Sequence, residues 1–157
     1  MTPAITALRK HKISFEIVEY EHDPAATSYG QEAADATGTD PAFIFKTLMV
    51  MVDGKRPAVA VVPVDKQLDL KAIAAAAQGK KAAMAAQDEA ERRTGYVVGG
   101  ISPIGQKKLF PTFIDQSAES LSTMYVSGGR RGLEVCLAPH DLLGILDAQF
   151  VALATSE

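Results

Sequence analysis

Apolar and polar positions divide this chain into short elements. Thr2 and Pro3 suit the cap and first turn of a helix whose inner face carries Ile5 and Leu8, and which ends before Ile13. Phe15, Ile17 and Tyr20 then follow the rhythm of a strand. The stretch EHDPAATSYG is a loop leading to a short helix from about Gln31, which Gly38 closes, and Asp40 and Pro41 punctuate again. In FIFKTLMVMVDGKRPAVAVVPV, two strands meet around Asp53 and Gly54, a favoured hairpin dipeptide, and apolar residues in both registers predict burial on both faces. Asp69 starts a helix through Ala77 with Gly79 as its stop, and the alanine-rich AIAAAAQGKKAAMAA reads as helical. A further helix over residues 87–93 stops at Gly95. Strands are expected over 96–98, 112–115, 124–127 and 133–138, the last two flanking SGGRRG, before a helix from Pro139 to about Leu146. The terminal QFVALA fits strand and helix equally. Hairpin connections outnumber regular strand-helix alternation, so the pattern predicts an α+β fold with a mixed, largely antiparallel sheet rather than a doubly wound one.

Composition narrows the class. A chain of 157 residues with 47% hydrophobic and 22% charged residues fits a single globular domain over 1–157. No apolar run is long enough for a membrane span, and the first twelve residues lack the apolar block of a secretory signal, so a cytoplasmic protein without a membrane partner is expected. The lone Cys136 cannot form an internal disulfide, and His11, His22 and His140 are not spaced with it as metal ligands, so neither a metal nor another cofactor is expected.

The formal net charge of -3 argues against a general polyanion binder, yet charge is unevenly spread. Residues 1–40 hold three basic and seven acidic side chains, whereas residues 80–131 hold four basic pairs against five acids. Lys80-Lys81, Arg92-Arg93, Lys107-Lys108 and Arg130-Arg131 each lie beside a glycine-containing turn. Gathered around one opening they would form a positive rim for a phosphate backbone; separately they are four solvated turns.

Lys46 is the most informative single position. It stands among Phe45, Thr47, Leu48 and Met49, where side chains on either strand face are apolar and an unpaired ammonium is costly. It either snorkels from a strand end or meets a partner or an anionic ligand. The second feature is VVGGISPIGQKK, in which Gly99 and Gly100 precede Ile101, Ser102 and Pro103. Such a loop is either a plain connection or a place where backbone amides face a substrate carbonyl and hold a developing oxyanion. It is neither a phosphate-binding GxGxxG nor a GxSxG nucleophile elbow. Cys136 reads as a packed thiol, with no base in evidence to activate it.

Taken together, KISFEIVEYEHDP, FKTLMVMV, VVPVDKQLDLK, TGYVVGGISPIGQKK and YVSGGRRGLEV resemble, in order and over nearly the whole chain, the YbaK family of free-standing aminoacyl-tRNA deacylases, related to the editing domain inserted in bacterial prolyl-tRNA synthetases. The resemblance implies a barrel-like mixed sheet surrounded by helices, and trans-editing hydrolysis of mischarged tRNA, above all Cys-tRNA(Pro), in which the thiol of the bound cysteine attacks its own ester. It places the family's functional lysine on Lys46 and its glycine loop on Gly99, Gly100, Ile101, Ser102 and Pro103. Thr47, Tyr20, Tyr29, Ser127 and Glu134 fall on pocket positions, with Glu134 standing where the best-known branch has Asp. The implied partners are the acceptor end of aminoacyl-tRNA and prolyl-tRNA synthetase as the source of tRNA selectivity. Three alternatives stay open: a deacylase for alanine or another small residue, a silent binder of tRNA ends or nucleotides, and a purely structural interaction domain.

Overall fold

A computed structural model describes residues 1–26 and 28–155; Thr27 of the expected loop lies outside the described residues. Helix α1 (Pro3–Lys10) begins where the sequence places it, with the Thr2 hydroxyl accepting from the Ile5 N–H, and it buries Ala4, Ile5 and Leu8. Strand β1 (Phe15–Glu19) follows. Helix α2 (Tyr29–Thr37) starts two residues earlier than its pattern suggests and ends at Gly38. A turn of 3₁₀ helix (Pro41–Phe43), capped by the Asp40 carboxylate, feeds strand β2 (Phe45–Val52).

Strand β2 pairs residue for residue with β3 (Arg56–Pro63) across the Asp53-Gly54 turn. Their sheet is covered on both sides, as the unbroken apolar run predicts. Phe45, Met49, Val59 and Val61 face the larger core, with Leu8, Phe110, Met124 and Leu142, while Val50, Val52, Ala58, Ala60 and Val62 face a second core closed by Ile73 and Leu153. At about 25 cal/mol per Å² of apolar surface removed from water, this double burial makes the hairpin the principal hydrophobic layer.

Beyond β3 come β4 (Gln67–Leu68), helix α3 (Leu70–Ala76), capped by the Asp69 carboxylate, and β5 (Ala82–Met84). The last corrects the reading of the alanine-rich stretch as helical. The chain turns left-handed at Gln78, the Gly79 N–H closes onto the Ala74 carbonyl, and the Asp53 carboxylate then accepts from the Lys80 and Lys81 N–H groups. Those tertiary bonds lay residues 82–84 against β2 and override the intrinsic helix preference of alanine. Helix α4 (Gln87–Thr94) ends at Gly95 as expected. Residues 96–98 form no strand, because Val97 is folded into a turn by the Gly100 N–H on its carbonyl.

Strands β6 (Thr112–Asp115), β7 (Met124–Arg130) and β8 (Leu133–Leu137), helix α5 (Pro139–Leu146), and strands β9 (Gln149–Val151) and β10 (Ala154–Thr155) complete the chain. The ambiguous terminal segment is therefore extended. Sheet order is β5-β2-β3-β6-β9, with β3, β6 and β9 parallel; β1-β8-β7 forms an antiparallel sheet, and β10 pairs with β4. The fold is α+β with mixed sheets, as expected, but the sheets do not close into a barrel. Only an isolated Ile44–Tyr125 bridge joins the two larger ones among the described residues.

Asp115 secures the terminal strands. It is 5% exposed, and its Oδ1 accepts from the Leu153 and Ala154 N–H groups while Oδ2 accepts from Ser117. Burial raises its pKa, but these hydrogen bonds outweigh that and leave it below the usual 3.8. Because the folded pKa is depressed, the stabilisation is present at neutral pH and is lost as pH falls through the folded value. Asp115→Asn should cost about 1–3 kcal/mol at pH 7 in denaturant titrations, and the gap from the parent should narrow in acid; a pH-independent gap would contradict this account.

Candidate functional site

Between the two larger sheets lies a cavity of about 410 Å³, within the size range of small-molecule sites. Strand β2 contributes Lys46 and Thr47, helix α2 contributes Tyr29, and the loop after α4 contributes Gly99 and Ile101. Tyr20, Ser127 and Glu134 close the end formed by β1, β7 and β8. Eight of the eleven residues singled out in the sequence thus share one cavity. Gly100, Ser102 and Pro103 do not line it.

Their positions have a physical reason. Strand β7 carries two extra residues, Gly128 and Gly129, relative to β8, since Ser127 pairs with Glu134 but Arg130 pairs with Leu133. This bulge, and not a turn, is what the SGG unit encodes, and it bends the hairpin tip toward residues 99–100. A Cβ on Gly100 would lie 2.7 Å from the Arg130 Cα and 2.9 Å from its carbonyl carbon. Gly99, at φ +94°, would meet the Arg131 Nε at 2.4 Å and the Tyr29 ring at 2.9 Å. Neither position has room for a side chain. Ser102 is fully buried, its Oγ accepting from the Ile104 N–H at 3.2 Å, and Pro103 is buried beside it, so both support the loop from behind.

The loop is held on both sides. Val98 N–H donates to Glu91 Oε2 at 2.8 Å and the Val98 carbonyl accepts from Arg131 at 2.8 Å, while the Arg131 guanidinium lies 4.2 Å from the centre of the Tyr29 ring. The Gly100 N–H is spent on Val97. Among the described residues, the Gly99 and Ile101 N–H groups have no acceptor, which leaves them as the loop's donors next to the cavity.

Charge in the cavity is unusual. Lys46 is half-buried and has no ion-pair partner among the described residues; desolvation pulls its pKa down from 10.5, with the Asp65 carboxylate opposing. Glu134 is 7% exposed, likewise unpaired, and burial pushes its carboxyl up to about 8. The Tyr20 phenol is raised by burial and by Glu134. The Thr47 hydroxyl is buried without a hydrogen-bond partner.

Other expectations resolve differently. The four basic pairs do not gather at one rim: Lys80 and Lys81 sit at the Asp53 turn, at the far end of β2 from Lys46. Arg93 pairs with Glu89, Arg130 with Glu19, and the Lys107 ammonium donates to the Arg92 carbonyl. Cys136 faces Glu16 and Tyr125 across the strands and lies outside the cavity lining. Sequence reasoning missed Gln87, Met84 and Ala85 of the lining, which only the misread strand β5 and the start of α4 bring there. Among the described residues there is no cluster of potential metal ligands, and no helix is long and apolar enough to cross a membrane.

Comparison with known proteins identifies the family. The sequence model of the aminoacyl-tRNA editing domain matches residues 22–145. A relative from Enterococcus faecalis, named "Putative Cys-tRNA(Pro)/Cys-tRNA(Cys) deacylase EbsC", is 36% identical over 156 residues, covering 99% of this chain and 94% of its own. A solved structure described as "a putative trans-editing enzyme for prolyl tRNA synthetase" superposes with a TM-score of 0.83 at 25% identity, over 98% of this chain and 95% of that one. A hypothetical protein of solved structure shares the fold, with a TM-score of 0.84 at 22% identity over 95% of this chain and 98% of that one.

Gly100→Ala should destabilise the protein by about 1–3 kcal/mol through overpacking, read as a lowered melting temperature; an unchanged melt would mean that the hairpin tip is free to move. Glu134 tests the electrostatics. Its folded pKa is raised, from 4.5 to about 8, so its favourable contribution is full below the unfolded value and fades as pH rises through the folded one. Stability of Glu134→Gln relative to the parent should therefore increase between pH 5 and pH 9, and a flat difference would refute the burial of an unpaired carboxyl.

Proposed function

The chain belongs to the aminoacyl-tRNA editing domain family, and from that premise we propose that this aminoacyl-tRNA deacylase clears cysteine from proline tRNA in trans. The observation that carries the reading is one cavity lined both by an ammonium, Lys46, and by a glycine loop whose Gly99 and Ile101 N–H groups, like that ammonium, have no partner among the described residues. The names of the Enterococcus relative and of the solved trans-editing enzyme support the substrate class.

The chemistry asks little of the protein. An aminoacyl ester is already activated, so holding it in a reactive geometry and stabilising its oxyanion is sufficient. Lys46 binds the terminal phosphate or the ester's polar oxygens, and the anion it meets there restores the ammonium that burial weakens. Gly99 and Ile101 donate to the carbonyl oxygen as it gains charge. The cysteine thiol then attacks its own carbonyl carbon. The new S–C bond forms, the ester C–O bond to the ribose breaks, and the ribose oxygen takes the thiol's proton. Water opens the resulting thiolactone to free cysteine. Tyr20, Tyr29, Thr47 and Ser127 shape the space around the amino acid.

A second site of this kind answers a limit of synthetases, whose binding pockets separate similar small amino acids poorly. Prolyl-tRNA synthetase supplies the selectivity for proline tRNA in this reading, and residues 1–157 act as one editing domain.

One assay covers these points: ester loss from tRNA charged with Cys, Ala, Ser or Pro, with and without the synthetase. Cys-tRNA should be cleaved fastest, Lys46→Ala should slow it about 100-fold, the magnitude of losing one stabilising donor, and Cys136→Ala should leave it unchanged. Equal cleavage of Ser-tRNA would remove the thiol from the mechanism, and parental activity in Lys46→Ala would remove the lysine.

A further inference from the structure

Glu134 is an ionisable cavity group to which the ester chemistry proposed above gives no role. It sits at the start of β8 opposite Ser127, so the two side chains share the sheet face that turns into the cavity. Other carboxylates near this end are engaged: Glu32 accepts from His22 at 2.8 Å and from the Asp23 N–H at 2.6 Å, and Glu19 pairs with Arg130 at 2.7 Å. Glu134 has neither an ion-pair nor a hydrogen-bond partner among the described residues, although it is more than nine-tenths buried. An unpaired buried carboxyl is costly to keep without a ligand that satisfies it.

Lys46 does not provide that satisfaction. It forms no ion pair with Glu134, and the carboxylate that opposes its desolvation is that of Asp65. The cavity therefore carries a cation-seeking group and an anion-seeking group that do not neutralise one another. An aminoacyl ester has the matching polarity, with an ammonium on its α-carbon and oxygens and phosphates beyond the carbonyl. Resting on the editing function proposed above, we infer that Glu134 forms an ammonium subsite with Tyr20 and Ser127, so that the enzyme accepts esters bearing a free α-amino group and refuses those whose amino group is acylated.

The free site keeps the carboxyl largely neutral near pH 7, since burial pushes it up to about 8. An arriving ammonium favours the carboxylate, and the two form a charge-assisted hydrogen bond where solvent is partly excluded. Around them stand the Tyr20 phenol, the Ser127 hydroxyl and the Lys46 ammonium, with the His22–Glu32 pair on the neighbouring loop and helix. An N-acylated ester brings no charge to Glu134 and adds bulk beside Tyr20 and Ser127. A chain still linked through a peptide bond, as in peptidyl-tRNA, falls into the same refused class.

The test uses hydrolysis-resistant adenosine 3′-amides carrying cysteine, N-acetylcysteine or 3-mercaptopropionate, which lacks the amine without added bulk, with binding measured by calorimetry. The parent should bind the cysteine amide about 10 to 100-fold more tightly than the mercaptopropionyl amide, the worth of a hydrogen bond between charged groups, and N-acetylcysteine should be at least as weak. Glu134→Gln should bring the first two within about threefold, while Glu134→Asp keeps a preference for the amine. Comparable binding of the cysteine and mercaptopropionyl amides by the parent, or a preference that survives in Glu134→Gln, overturns the subsite. Ester loss from Cys-tRNA, followed in parallel, separates the two ideas: a preference for the amine without turnover leaves the subsite standing and sinks the editing reaction.

Discussion

The close approach of the β7–β8 hairpin tip to Gly99 and Gly100 is the constraint on which the site depends. Two backbones come to a separation that excludes even a methyl group, and this brings Arg131 onto the Tyr29 ring and the Val98 carbonyl at once. Three segments remote in sequence, α2, the glycine loop and the hairpin, become walls of one cavity. The geometry of the loop amides follows from that contact, since the turn consumes the Gly100 N–H and leaves those of Gly99 and Ile101.

Much of this was legible in the sequence wherever a residue type has one dominant local reason. Thr2, Asp40 and Asp69 cap helical turns because their side-chain oxygens reach free N–H groups, and Gly38 and Gly95 end helices at left-handed positions. The double apolar register of β2 and β3 foretold a sheet covered on both faces, and Lys46 stood out against it. Local reasoning failed where long-range bonds decide. Alanines 82 and 83 prefer helix, yet the Asp53 carboxylate catches the adjacent amides and makes an edge strand. Ser102 and Pro103 carry the look of an active loop but serve as its backing, a distinction set by burial that no spacing reveals.

The chain separates two uses of charge. On the surface, carboxylates and guanidinium groups pair, as in Glu19–Arg130 and Glu89–Arg93, where solvent limits each to a small effect. In the cavity, Lys46 and Glu134 form no ion pair with each other or with another of the described residues, so both remain available to a ligand. The cost appears in the opposed shifts of their pKa values, one lowered and one raised by the same desolvation.

The bracing of the hairpin by the first residues has a temporal meaning. The Thr2 hydroxyl donates to the Gly128 carbonyl across 126 positions, and the Gly129 and Gly105 backbones rest against Thr2 and Pro3. During synthesis these residues wait for the Gly128 and Gly129 backbone until β7 has left the ribosome, because that part of the surface they dock on is made more than a hundred residues later. A half-made chain can hold the β2–β3 hairpin while possessing no chamber at all, so the cavity takes shape only after β7 and β8 have emerged.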